Sequence, residues 1–316
     1  MEQALYHPEH GYYSSDRATI GRRGDYFTNV SVGPLFGQLL GAQFFEIWER
    51  LGKIGNFTIV EQGAHHGEFA RDVLEFSRER FPEFFSAIRY VIVEPFPKLQ
   101  DRQSTGLKEF GASIRWVQSL DQLEPFTGVH FSNELLDAMP INLRNKMVAL
   151  RGGEFAFVDS TVEHAPNQSQ LDWIDNVATR LQRGFVLAID YGFARDQWRE
   201  MIQVRAQHRQ LDSPFAQIGE ADITAHVNWT DIAERAETKG LRVAGFTDQH
   251  HFLTGIISTF PEIVAGEKFK RALQTLLHPE MLGRSFQVLA LAKDVDLVPS
   301  PSGFKFARDA HAALAL

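Results

Sequence analysis

Five apolar runs in this 316-residue chain each end in, or lead directly to, polar side chains able to do chemistry. Run 57–61 ends in Glu61, followed by Gln62-Gly63-Ala64-His65-His66-Gly67. Run 90–94 ends in Glu94. Run 113–117 leads to Gln118-Ser119, run 128–132 to Asn133-Glu134, and run 184–190 ends in Asp190. In an open α/β sheet, ligands bind outside the carboxyl ends of the strands, near the point where strand order reverses. A glycine turn there lets backbone approach a ribose or an amino-acid moiety, with a helix N-terminus nearby. A carboxylate in the position of Glu94 can accept both ribose hydroxyl hydrogens and would repel a 2′-phosphate. An amide or carboxylate near Asn133-Glu134 can hold an ammonium, and a sulfonium favours negative or π-rich surroundings. Together these parts suit a donor such as S-adenosylmethionine. Each part alone is weak, since a glycine turn is often structural and Glu94 could simply cap a helix. The register of all of them is what carries the reading.

The elements that must position these residues are legible as well. Leu35, Leu39, Ala42, Phe45 and Trp48 recur at helical spacing, with Pro34 at the start and Gly52 at the stop. Helices are predicted over 68–80, 97–110, 171–181 and 230–238. Residues 251–277 read as mostly helical, interrupted near Pro261. Further strands are predicted at 241–246 and 285–293. Buried runs separated by helices argue for a parallel sheet covered on both faces. Residues 142–160 alternate instead, around the tight turn Arg151-Gly152-Gly153-Glu154, and predict an inserted β-hairpin. The expected organisation is a cap segment and helix over 1–52, a catalytic domain over 53–294, and a tail over 295–316 that leaves the fold.

The chain resembles the MidA-type proteins of the DUF185 group, which includes a mitochondrial complex I assembly factor that methylates an arginine. The matching segments start with Tyr6-His7-Pro8-Glu9-His10-Gly11-Tyr12-Tyr13, Ile20 to Thr28, Leu35-Phe36-Gly37 and Glu61 to Gly67. They continue with Asn133-Glu134-Leu135-Leu136-Asp137-Ala138-Met139-Pro140, Ile189-Asp190-Tyr191-Gly192, Asp222 to Val227 and Gln249 to Leu253. The resemblance spans nearly the whole chain. It implies a class I, Rossmann-like methyltransferase fold: a seven-stranded, mostly parallel sheet with helices on both faces, an N-terminal cap and an inserted hairpin. It implies S-adenosyl-L-methionine as methyl donor and a protein arginine as acceptor, a respiratory complex I subunit being one such partner.

Carried over to this chain, Glu61, Gly63, Gly67, Glu94 and Ser119 would hold the donor. Gly24, Asp25 and Thr28 would fold over it. Asn133, Glu134 and Asp190 would face the reacting centre, and Asp137, Asp222 and His226 the acceptor. A guanidinium stays protonated, so carboxylates orient it best, through paired hydrogen bonds. Two departures touch this site. The family's E-x-G-P-G-x-G loop carries Ala64 and His65 here, and the stretch after Asp190-Tyr191-Gly192 is shortened. A catalytically weak assembly or binding factor on the same fold is therefore the main rival. A nicotinamide oxidoreductase ranks lower, because residues 63–67 lack the full G-x-G-x-x-G pattern.

Bulk properties exclude several classes. The absence of cysteine removes disulfides, thiolate–zinc sites and cysteine nucleophiles. A net charge of −8 lacks the basic surplus of a nucleic-acid binder. No apolar run is long enough to span a bilayer. The twelve histidines show no H-E-x-x-H spacing, and no metal site is expected. His65 and His66 read as exposed and inert, and Tyr12, Tyr13 and Tyr26 as packing residues. The N-terminus has neither a signal nor a transit-peptide pattern, and the chain is expected in the cytoplasm. A homodimer is compatible with this reading.

Overall fold

Valine, isoleucine and phenylalanine fill the predicted runs because those strands are covered on both faces. The structure is a computed structural model, and it describes residues 1–14, 28–143, 145–161, 167–197, 201–206 and 209–316. Gly24, Asp25 and Tyr26 lie outside the described residues. The strands are β1 (Phe57–Gln62), β2 (Ile88–Val93), β3 (Ile114–Val117), β4 (Phe126–Asn133), β5 (Lys146–Arg151), β6 (Glu154–Asp159) and β7 (Leu181–Phe193). After them come β8 (Ile202–Ala206), β9 (Arg209–Gln210), β10 (Asp222–Ala225), β11 (Val227–Asn228), β12 (Arg242–Asp248) and β13 (Phe286–Lys293). The main sheet runs β12-β13-β7-β4-β1-β2-β3, with β11 paired beside β7. Strands β7, β4, β1, β2 and β3 are parallel, and β13 is antiparallel to both neighbours. The chain builds outward from β1 to β3, then crosses back to lay β4 on the other side of β1. That reversal is the switch point at which such sheets bind ligands.

Side chains alternate between two cores, as the period of a strand requires. Ile59, Tyr90, Ile92, Phe131, Leu187 and Ile189 pack under helices α2 (Leu35–Arg50) and α3 (Glu68–Arg80). Val60, Val91, Val186, Ala188 and Leu289 lie on the opposite face, against Trp173, Ile174 and Val177 of the helix over Gln168–Arg180 and against Ile232 of the helix over Trp229–Thr238. A third, small core joins Ala4, Leu5 and Tyr12 near the N-terminus to Val204, Ala206 and Ile223 of the three-stranded sheet β10-β8-β9. Strands β5 and β6 form the expected hairpin. No described helix is long and apolar enough to cross a membrane.

One expectation fails. Residues after Asp294 do not leave the fold. Phe304 packs against Phe252, Leu314 is fully buried, and the amides of Ser302 and Gly303 donate to Glu46 and Gln43 of α2. Phe304 and Leu314 are too far apart to make a periodic pattern, and their partners are remote in sequence.

Candidate functional site

Parallel pairing of β1 with β4 sets Glu61 beside Phe131 and Gln62 beside Ser132, so both strands open into one hollow. The turn after β1 passes through left-handed backbone at Gly63 (φ 87°) and Gly67 (φ 83°), where glycine carries no steric penalty, and delivers the chain to the start of α3. His65 adopts φ 48° in the same loop, a strained value for a residue with a Cβ. A cavity of about 270 Å³ results, lined by Glu61, Gly63, His65, Phe69, Asn133 and Glu134 among others, with Thr28, Val30 and Ser31 closing it.

Glu61, His65 and Glu134 in its lining are held away from their ordinary states. Burial pushes Glu61 up to about 8, against the opposing hydrogen bond it accepts from Tyr90 Oη at 2.8 Å. Burial lowers His65 to about 3, leaving a neutral imidazole in the wall. Glu134 is pushed up to about 8 by burial. The Asn133 hydrogen bond opposes that shift, and the charge of Asp190 adds to it.

A second cavity, of about 360 Å³, lies on the other side of Glu134. Alternation builds its wall. Gln203 and Arg205 of β8 and Asp222 and Thr224 of β10 face it, while Ile202, Val204 and Ile223 face the small core behind. Asp137, Tyr13, Tyr191, Phe193 and His226 complete much of the lining. Tyr13 Oη donates to Asp222 Oδ1 at 2.6 Å. Burial holds Asp137 well above the usual carboxylate range, and Asp190, Asp222 and Glu134 reinforce the shift. Such a hollow, acidic and partly aromatic, favours a cation.

The structure brings Glu61, Gly63, Thr28, Asn133 and Glu134 together around the first cavity, and Glu134, Asp137, Asp222 and His226 around the second. Several other expectations need correction. Asp190 lines neither cavity. Its Oδ2 accepts backbone N–H bonds from Leu135 (3.1 Å), Leu136 (2.8 Å) and Asp137 (3.2 Å), and its Oδ1 one from Tyr191 (2.8 Å), so it fixes the loop that carries Glu134. Glu94 is buried beside the 62–67 loop without lining the first cavity. Its carboxylate is occupied by the Phe96 amide and by Gln103 Nε2, which also donates to the His65 carbonyl. Gly67 caps α3 and Ser119 precedes a 3₁₀ turn, and neither lines the first or the second cavity. His65, expected to be exposed, belongs to the first cavity's wall. Tyr13, expected to be a packing residue, instead bonds Asp222 and lines the second cavity, while nothing in the sequence marks Tyr90 or Asn29, since isolated polar or aromatic residues give no pattern before their partners are known. No group of three described residues is arranged to hold a metal ion.

A family model for S-adenosyl-L-methionine-dependent methyltransferases matches residues 39–147 and 146–247. The protein arginine methyltransferase NDUFAF7 homologue of Drosophila melanogaster, a mitochondrial protein, is 24% identical, over 92% of this chain and 80% of its own length. The human mitochondrial NDUFAF7 protein is 22% identical, over 92% and 78%. The crystal structure of a COG1565 superfamily member from Burkholderia thailandensis, bound to S-adenosyl-homocysteine, superposes with a TM-score of 0.85 at 27% identity, covering 98% of this chain and 90% of that one. These relatives overturn the cytoplasmic expectation, since the NDUFAF7 proteins are mitochondrial. A folded domain carries little record of its compartment.

Proposed function

This chain belongs to the family of S-adenosyl-L-methionine-dependent methyltransferases, and on that premise we propose that it methylates an arginine side chain of a protein. The donor supplies a methyl group on sulfur; its transfer to a guanidinium nitrogen leaves a thioether and releases one proton. Glu61, Gly63, Thr28 and Asn133 would hold the donor in the first cavity, whose acidic and aromatic lining fits a sulfonium compound bearing an ammonium. Asp137 and Asp222 would pair with the guanidinium in the second. The observation that carries the reading is that Glu134 lines both cavities. A carboxylate there would orient the guanidinium nitrogen toward the donor and lie in reach of the proton that leaves. Positioning and electrostatics supply the rate in such an arrangement. Asp190 acts one step back, holding the 134–137 loop.

The names of the NDUFAF7 relatives support arginine as acceptor and direct the search to mitochondrial proteins. The rival reading, a binding factor without turnover, loses its main motive because His65 sits in the cavity wall and leaves the space open. The test is incubation with methyl-labelled donor and arginine-containing or lysine-substituted versions of a candidate acceptor, followed by amino-acid analysis. Label in methylarginine, lost on lysine substitution, supports the proposal. Donor binding without any labelled acceptor favours the binding factor.

A further inference from the structure

Asn29 lies six residues before the start of α2, and nothing in its type or spacing marks it. The structure buries it completely and ties it to both polar residues at the end of β4. Its Nδ2 donates to Asn133 Oδ1 at 2.9 Å, and its backbone N–H donates to Glu134 Oε1 at 3.3 Å. Asn133 Nδ2 in turn donates to the same Glu134 oxygen at 2.8 Å. The two amides are thereby oriented in one direction. With Asn133 Oδ1 committed to Asn29, only its N–H group can face Glu134. Asn29 Oδ1 is itself buried without a partner. An apolar residue would avoid that cost, and a buried orphan acceptor calls for a reason. Delivery of the Nδ2 hydrogen is such a reason.

We propose that Asn29 is a positioning residue, which locks the Asn133 amide so that Glu134 faces the methyl donor as a carboxylate with one oxygen bonded and the other free for the reacting groups. This rests on the assignment of the first cavity to the donor. Glu134 needs such support, because its surroundings are otherwise hostile to its charge. Asp190 and Tyr191 face it from β7, Asp222 from β10, and Asp137 from its own loop. Around the first cavity stand Glu61, Glu68, His66 and neutral His65, and around the second Tyr13, Arg205, His226 and Arg284. Of the groups bonded to Glu134, the Asn133 and Asn29 donors are those that favour its ionised form.

The cavity should therefore distinguish S-adenosylmethionine, a sulfonium, from S-adenosylhomocysteine, a neutral thioether, through the charge of Glu134. The experiment is calorimetric titration of the purified protein with both compounds across about pH 6 to 9, spanning the value reached by Glu134. In the parent protein the preference for the sulfonium should fall as pH drops. In Asn29→Ala the midpoint of that fall should move toward higher pH by about one unit, with affinity for S-adenosylhomocysteine changed less than about threefold. In Glu134→Gln the share of that pH dependence due to Glu134 should disappear, leaving the share of Glu61, and adding Asn29→Ala should have no further effect. Should Asn29→Ala fail to melt cooperatively, Asn29→Asp replaces it. That variant keeps the volume, removes the donor and adds a charge, and should shift the midpoint further. An unchanged midpoint in the folded variant, or an equal shift in the Glu134→Gln background, overturns the proposal. Absence of binding by the parent protein would instead overturn the donor-site assignment.

Discussion

Tyr13 donates its hydroxyl hydrogen to Asp222 over 2.6 Å, joining residues 209 positions apart and fastening the N-terminal segment onto the wall of the second cavity. The bond fixes the orientation of an acidic side chain proposed to meet the acceptor. Tyr13→Phe removes a hydrogen bond to a charged group and should cost about 1.5–3 kcal/mol of stability. It should raise the acceptor KM more than it lowers kcat. Urea denaturation with steady-state methylation measures both; an unchanged KM would detach Asp222 from acceptor binding.

Asp190→Ala should be the more damaging change, although the residue lines neither cavity. It would strand four backbone N–H groups, two buried and two partly buried, at about 1–3 kcal/mol for each buried one left unsatisfied. Stability should fall by more than 3 kcal/mol by the same reckoning, with loss of donor binding as the 134–137 loop loosens. Asp190→Asn should cost less but remain harmful, because its NH₂ group would confront one of those donors. Thermal melts and calorimetry distinguish this from a role in chemistry, which would leave the melting temperature unchanged.

Glu134→Gln should separate turnover from binding. Removing a charged group aimed at the reacting centre typically lowers kcat by about 10²–10³-fold. S-adenosylhomocysteine affinity should stay within about threefold of the parent's, since the neutral thioether makes no demand on that charge. Parent-like kcat in this variant would remove Glu134 from the proposed mechanism.

The ligand-free protein should lose stability as pH rises above about 6.5. Glu61 and Glu134 are pushed from an ordinary 4.5 up to about 8. The folded state therefore binds more protons than the unfolded one between those values. The stabilisation is full below about 4.5 and is lost as pH rises through about 8. His65 and His130, lowered to about 3, work in the opposite sense only below their ordinary 6.5, so the upper window isolates the carboxylates. Binding a cationic donor should reverse the trend and release protons, making S-adenosylmethionine affinity rise with pH. Calorimetry in buffers of different ionisation enthalpy counts those protons; zero release would remove the carboxylates from the site.

Much of this was legible before any coordinates. Apolar runs with period-two and period-3.6 spacing determined which segments became strands and helices, because burial on two faces or on one imposes those periods. Acidic and amide residues at strand ends pointed to the edge where Glu61, Asn133 and Glu134 meet around one cavity, and the order of motifs pointed to the family. The tertiary structure decided how those residues divide their labour. Asp190 and Glu94 looked like site residues because they end strands, yet the first turned to backbone amides and the second to Gln103. Tyr13, Tyr90 and Asn29 gained roles only when the chain brought distant partners within hydrogen-bonding distance. The direction of a side chain, and which polar group claims it first, depends on contacts across the fold; local spacing records burial but not partnership.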